Sequence, residues 1–301
     1  MKKILCIGHS AYDITIPMDH YPIQNNKYRI TDVVENGGGS ANNCAYLLSM
    51  WGQDVYYAGI VGNDVYGKKI IKELKSVGVN LKFLEINKTY ETLPSYIIVN
   101  TTNGSRTILG KSNPNSKISI KKINMKPDII LVDGYHYELA KRTLEENKNA
   151  IKIIDAGKAT DEIIELSKLV DYLVCSRDFV EKITNKKIDL NDENTYKEIY
   201  NEIELMFNNH LIITIGHRGS IYKINNEIKV MPPYNVVAKD TTGAGDIFHG
   251  AFTYCIANNF DIEKTMKIAN ITGALSTTKI GGKNSMPPLN EVMRIYENNE
   301  L

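Results

Sequence analysis

Short apolar runs that stop at glycine or a polar residue recur along this chain, and between them apolar positions return every three or four residues. The first pattern predicts buried parallel strands, and the second predicts helices that bury one face. Strands of this kind are expected at 4–8, 55–61, 129–132, 151–154, 172–175 and 211–215. Helices are expected at 65–77, 137–147, 161–169, 196–207, 262–278 and near 291–296, with further ones opening after Ser40, after Cys175 and at Asp246. Strand and helix alternation of this regularity argues for the α/β class, a mostly parallel sheet covered on both faces. Segments 95–100 and 106–109 flank an Asn103-Gly104 turn and read as a hairpin, with 28–35 expected to pair with it in a small second sheet. No repeat or linker divides the chain, so one domain spanning 1–301 is expected.

The stretch Asp240-Thr241-Thr242-Gly243-Ala244-Gly245-Asp246 sits where an extended run turns into an apolar helix. Backbone N–H groups at a helix start lack internal partners, and the helix dipole adds partial positive charge there. Gly243, Ala244 and Gly245 leave that surface bare, so an anion can approach the backbone. Asp246 inside an anion site is a poor structural choice, because like charges repel. It makes sense as a base that takes a proton from a hydroxyl attacking a phosphoryl group. The plainer reading is a helix cap and a turn, and these seven residues alone leave the two balanced.

Other stretches add candidates. Asp13 follows the carboxyl end of the first strand, where ligands bind in open α/β sheets; it reads either as a partner for substrate hydroxyls or as a turn residue. Gly37-Gly38-Gly39-Ser40-Ala41-Asn42-Asn43 opens a helix and reads as a cradle or as a hinge, with the Asn42 amide suited to a polyol. Arg106 is a solvated edge charge or a substrate contact. Gly62, Gly67 and Lys68 stand at P-loop spacing, but Lys69 occupies the Ser/Thr position, and Gly104, Gly110, Lys111, Ser112 has one residue too many.

Lys plus Arg total 36 against 35 Asp plus Glu, which gives no global field for nucleic acid or an anionic membrane, so a phosphate site must be local. Cys6, Cys44, Cys175 and Cys255 form no CxxC pair and read as buried free thiols. The apolar run 4–7 is too short for a signal peptide, and no segment nears the ~20 apolar residues of a membrane helix. A soluble, cytoplasmic protein is expected.

Assembled, these segments resemble the ribokinase or PfkB family of carbohydrate kinases over nearly the whole length. The carriers are 37–52 (GGGSANNCAYLLSMWG), followed by Gly59, Gly62, Asn63, Asp64 and Gly67, then Thr214-Ile215-Gly216-His217-Arg218-Gly219, then 240–246 with Phe248, Gly250 and Phe252. The resemblance implies a Rossmann-like α/β sandwich with a β lid from segments near 14–35 and 92–112. It implies Asp246 as catalytic base, Gly243, Ala244 and Gly245 as anion hole, and Asp13, Gly38, Gly39 and Asn42 at the sugar, with Arg106 similar to a lid element of ketohexokinase-like members. Thr214, Gly216 and Gly219 would border ATP, and Asn270 would lie near the adenosine. Asp240 and Thr242 resemble residues around a monovalent cation, K+, in some members. One departure stands out. Where many members carry Asn-x-x-Glu, which helps organise Mg2+, this chain has Ser176-Arg177-Asp178-Phe179, with Glu181 two further on. The acidic role then passes to Asp178, Glu181 or water, and the Mg2+ ligands stay unassigned.

A glycine-rich stretch without Lys or Arg, next to Asp13, favours a neutral sugar such as fructose, ribose or a related ketose. A nucleoside would want stacking surfaces, for which Tyr12, Tyr96, Tyr135 and His136 are candidates; a phosphosugar would want bases. A sugar- or nucleotide-binding sensor without turnover is the reading from another class, supported only by the altered Mg2+ motif. No GxGxxG follows the first strand, which disfavours a dinucleotide oxidoreductase. A homodimer formed through the lid is expected, because exposed lid edges invite a partner.

Overall fold

The computed structural model describes residues 1–111 and 117–298. Ser112, the end of the expected lid segment and of the second near P-loop, lies outside the described residues. The first part of the chain gives β1 (Lys3–Ile7), β2 (Ala11–Met18), β3 (Val34–Gly38), α1 (Ser40–Met50), β4 (Asp54–Gly62), α2 (Val65–Ser76), β5 (Asn80–Asn87), β6 (Pro94–Asn100) and β7 (Arg106–Gly110). Then follow β8 (Ile129–Val132), α3 (Tyr137–Glu146), β9 (Ile151–Ala156), α4 (Asp161–Ser167), β10 (Tyr172–Ser176), α5 (Arg177–Thr184), α6 (Glu193–Phe207) and β11 (His210–Thr214). The last part gives β12 (Ser220–Ile224), β13 (Glu227–Met231), α7 (Ala244–Ala257), α8 (Ile262–Leu275) and α9 (Leu289–Glu297).

One sheet runs β13-β12-β11-β10-β9-β8-β1-β4-β5, parallel from β11 to β5, with β12 and β13 added antiparallel. Alternate residues of β1 feed opposite cores. Ile4 and Cys6 pack with α1, α7, α8 and α9, while Leu5 and Ile7 pack with α3, α4, α5 and α6. Both faces are therefore covered, as the unbroken apolar runs require. The result is a three-layer α/β sandwich, a mostly parallel central sheet with a smaller second sheet.

The small sheet runs β3-β2-β6-β7. The 95–100 and 106–109 hairpin forms as β6 and β7, with Gly104 in the left-handed region (φ 71°). Its partner differs from expectation. β6 pairs in parallel with β2, and of the expected 28–35 strand only Val34 and Glu35 are regular, as the start of β3. Ile30 and Val33 are 50% and 47% exposed, so that segment's apolar side chains are not buried on a strand face. All four cysteines are buried and free. Among the described residues no helix is long and apolar enough to cross a membrane.

Candidate active site

The carboxyl ends of β1, β8 and β9, the start of α7 and the inner face of the small sheet enclose a cavity of about 1230 Å³. Asp13, Gly39, Ser40, Asn43, Ser95, Arg106, Asp133, Asp155, Thr242, Gly243 and Asp246 all contribute to its wall. Gly243, in the left-handed region at φ 74°, turns the chain into α7 and puts Asp246 in that helix's first turn. Asn43 Nδ2 donates to Asp246 Oδ2 at 2.8 Å, and the Cys44 thiol donates to the Asp246 carbonyl at 3.1 Å. The catalytic candidate is thus held by the helix that the glycine-rich stretch opens, some two hundred residues earlier in sequence.

Asp13 stands on β2, buried. A Cβ at Gly38 would lie 2.1 Å from Asp13 Oδ2, so only glycine there leaves room for the carboxylate. Burial, reinforced by the Asp246 charge, pushes the Asp13 carboxyl up to about 7, while Lys283 and a hydrogen bond from Ser95 oppose that rise. Lys283 is buried and ion-pairs Glu73 Oε2 at 3.1 Å. The other partner of that oxygen is the Gly37 N–H at 2.8 Å. Burial pulls the Lys283 ammonium down and Glu73 offsets this.

Asn42 does not line the cavity. It is fully buried in α1 beside Tyr57, and Asn43, one position on, faces the cavity instead. Successive helical residues point about 100° apart, so only one of two adjacent asparagines can reach Asp246. Arg106 does face the cavity, and its guanidinium donates to Thr241 Oγ1 at 2.8 Å. Thr241 N–H and Oγ1 both donate to the Gly104 carbonyl, at 3.1 and 2.8 Å, so the hairpin tip is tied to the loop before α7. Asp240 accepts from the Thr242 and Gly281 N–H groups, each at 2.8 Å, and Thr242 Oγ1 is a buried oxygen with no hydrogen-bond partner among the described residues.

The nucleotide-side candidates form a separate patch. Ser176 and Thr214 are register partners across β10 and β11, Gly216 and Gly219 make the turn into β12, and Asn270 of α8 donates to Ser220 Oγ at 2.9 Å. Ser176 Oγ caps α5 by accepting the Phe179 N–H at 3.1 Å and donates to the Gly157 carbonyl at 3.0 Å. Asp178 is 81% exposed in its side chain. Glu181 is turned to Lys187 at 2.6 Å and to the Ile188 N–H at 3.0 Å, away from the cavity.

Among the stacking candidates, Tyr135 and His136 line the cavity and His9 stacks on Tyr135 with centroids 4.4 Å apart. Tyr12 is buried against Tyr66, and Tyr96 points to the other face of the small sheet. Sequence reasoning missed Asn43, His9, Asp133, Asp155 and Lys283. Asp133 accepts N–H bonds from His9, Ala41 and Tyr135, pinning β8, β1 and α1 together at the cavity. Its position one residue beyond the expected strand end was the available signal, and the same is true of Asp155.

The profile of the pfkB family carbohydrate kinases matches residues 1–289. The chain belongs to this family. Ribokinase of Bacillus subtilis is 26% identical, covering 97% of this chain and 98% of its own length. The ATP-dependent ribose-1-phosphate kinase of Halopiger xanaduensis is 26% identical over 95% of both chains. Among solved structures, a putative ribokinase from Agrobacterium tumefaciens superposes with a TM-score of 0.89 at 22% identity, covering 99% of this chain and 98% of that one. The pfkB chain described here is an ATP-dependent sugar kinase.

Proposed function

We propose that this kinase phosphorylates a hydroxyl of a neutral sugar, ribose, fructose or a related ketose, with Asp246 as general base. The observation that carries this is the pairing of two carboxylates on one cavity: Asp246 at the start of α7, oriented by Asn43, and Asp13 on the small sheet. Asp13, with Gly38 and Gly39 beside it, accepts hydrogen bonds from the sugar. Asp246 takes the proton of the attacking hydroxyl as its oxygen reaches the γ-phosphate of ATP. The first turn of α7, bearing Gly243, Ala244 and Gly245, stabilises negative charge on the transferring group. The small sheet covers the acceptor and excludes water, and Arg106 helps hold it there.

ATP is assigned to the patch bearing Ser176, Thr214, Gly216, Gly219 and Asn270. Mg2+ supplies charge neutralisation on the phosphates. With Ser176 used as a cap, Asp178 in solvent and Glu181 paired elsewhere, this stretch would reach the ion only through water. Asp240 and the unpartnered Thr242 Oγ1 fit a monovalent cation such as K+. The outer face of the small sheet is assigned to a homodimer contact.

A second reading has its own observation. Lys121, Arg142 and Lys158 also line the cavity, so a sugar carrying a phosphate would find cations there. ADP release with Mg-ATP across ribose, fructose, their phosphates and nucleosides separates the two. The highest kcat/KM with a neutral sugar supports the first reading, and with a phosphosugar the second. Asp246→Asn is expected to lower kcat by about 10²–10⁴. Near wild-type turnover in that variant would remove Asp246 from the mechanism.

A further inference from the structure

Beneath the first turn of α7 the His249 ring meets oxygen at both nitrogens. The ring is 4% exposed. Its Nδ1 lies 2.6 Å from the Gly245 carbonyl oxygen and 3.4 Å from Asp155 Oδ2, and its Nε2 lies 3.0 Å from the Val174 carbonyl oxygen. A neutral imidazole has one N–H and one bare nitrogen. Either tautomer sets a lone pair against a carbonyl oxygen at hydrogen-bonding distance, in a buried place where a frustrated polar pair is most costly. Only the doubly protonated ring donates from both sides. A buried cation needs a counter-ion, and the buried Asp155 carboxylate at the end of β9 is in place for it.

We propose that His249 is a positioning residue held as an imidazolium at pH 7 by Asp155, bracing the anion-hole turn through the Gly245 carbonyl and adding fixed positive charge beneath it. This rests on the phosphoryl-transfer reading of Asp246. The α7 dipole gives about half a positive charge at the helix start, and a whole charge one turn below has the same sign. The Nδ1–H bond to Gly245 keeps the turn from loosening when the phosphoryl group arrives. Other ionisable groups surround the pair: Asp246 on α7 itself, Asp133 at the end of β8, Cys44 of α1 and Cys175 of β10. Burial pushes both thiols up, so they stay neutral. Burial with the Asp246 and Asp133 charges pushes the Asp155 carboxyl up, and His249 is what opposes that rise.

The full chain labelled with ¹⁵N at its 6 histidines tests this directly. Long-range ¹H–¹⁵N spectra at pH 7.5 are expected to show one ring with both nitrogens protonated, absent from His249→Gln and lost at that pH in Asp155→Asn. Six neutral rings at that pH would overturn the proposal, as would an imidazolium signal that survives Asp155→Asn. The readout needs no substrate, so it stands or falls separately from the kinase assignment. For the role in turnover, His249→Gln keeps a donor toward Val174 and removes the charge. With D-ribose or D-fructose, whichever is turned over, kcat is expected to fall about tenfold at unchanged sugar KM. A folded variant with unchanged kcat would overturn the positioning role.

Discussion

Asp13 joins the proposed acceptor site to the pH scale. Burial and the facing Asp246 raise its carboxyl from 3.8 to about 7. In that interval the folded chain still holds a proton that the unfolded chain has released, so this group's contribution to stability is full below 3.8 and is lost as pH rises to about 7. Asp13→Asn, which never ionises, should therefore gain on wild type between pH 4 and pH 8, by about 2–4 kcal/mol. Urea unfolding of both proteins at the two pH values measures this, and a pH-independent difference would mean that Asp13 ionises normally. Protonation should also weaken the sugar site, because a carboxylic acid offers fewer acceptors to hydroxyls. A fall in kcat/KM below about pH 7 that Asp13→Asn flattens is the matching kinetic signature. At this scale the sequence was legible where chemistry is local. Asp246 could be picked out because glycines and a helix start surround it in the chain. The choice between Asn42 and Asn43 depends on which side of α1 meets α7, and residue types do not carry that. Asp155 and His249 come from segments far apart in sequence, and their meeting is a product of the sheet order.

Between elements, the Glu73–Lys283 pair joins α2 to the 3-10 turn Lys283–Ser285, and Glu73 also takes the Gly37 N–H of β3. The glycine-rich strand end that abuts Asp13 is thus fixed from behind by an ion pair. Removing Glu73 leaves the buried Lys283 ammonium without its hydrogen-bonded counter-ion and with only the Asp13 carboxyl facing it, which costs more than the pair itself contributes. Glu73→Gln should lower unfolding free energy by about 3–5 kcal/mol, and adding Lys283→Met should restore most of it. Chemical denaturation of the single and double variants checks the pattern, and a double variant no better than the single one would show that the buried ammonium is not the cause. The central strands were readable because β8 and β10 are continuous apolar runs buried on both faces. β5, β12 and β13 went unnoticed because they lie toward the sheet's margins, where half the positions meet water and polar residues interrupt the runs. The 28–35 segment failed in the opposite way. Its apolar residues suggested a strand throughout, yet only Val34 and Glu35 pair, with β2, and it is β2, whose own alternation was overlooked, that lies beside β6.

For the molecule as a whole, the small sheet has two unlike faces. Asp13, Ser95, Ile97, Arg106 and Ile108 look into the cavity. Ile14, Tyr96 and Leu109 are register partners across β2, β6 and β7 on the other face, with Ile16 and Ile98 in the same relation alongside them. Tyr96 and Leu109 are 45% and 56% exposed, and all five residues of β7 are exposed. An apolar sheet face bordered by an open edge strand is costly for a solitary protein. A second copy placing its own lid against this one would cover both copies' faces with one symmetric contact. Sedimentation at micromolar concentration is expected to show a dimer for wild type and a monomer for Leu109→Lys combined with Tyr96→Lys. These substitutions leave Asp246 and Asn43 untouched, so kcat should persist while the acceptor KM rises, because an unpaired lid closes less firmly over the sugar. Were wild type a monomer, or the double variant a dimer with unchanged KM, the outer face would need another occupant and the lid would owe its closed position to Arg106 and Thr241 alone.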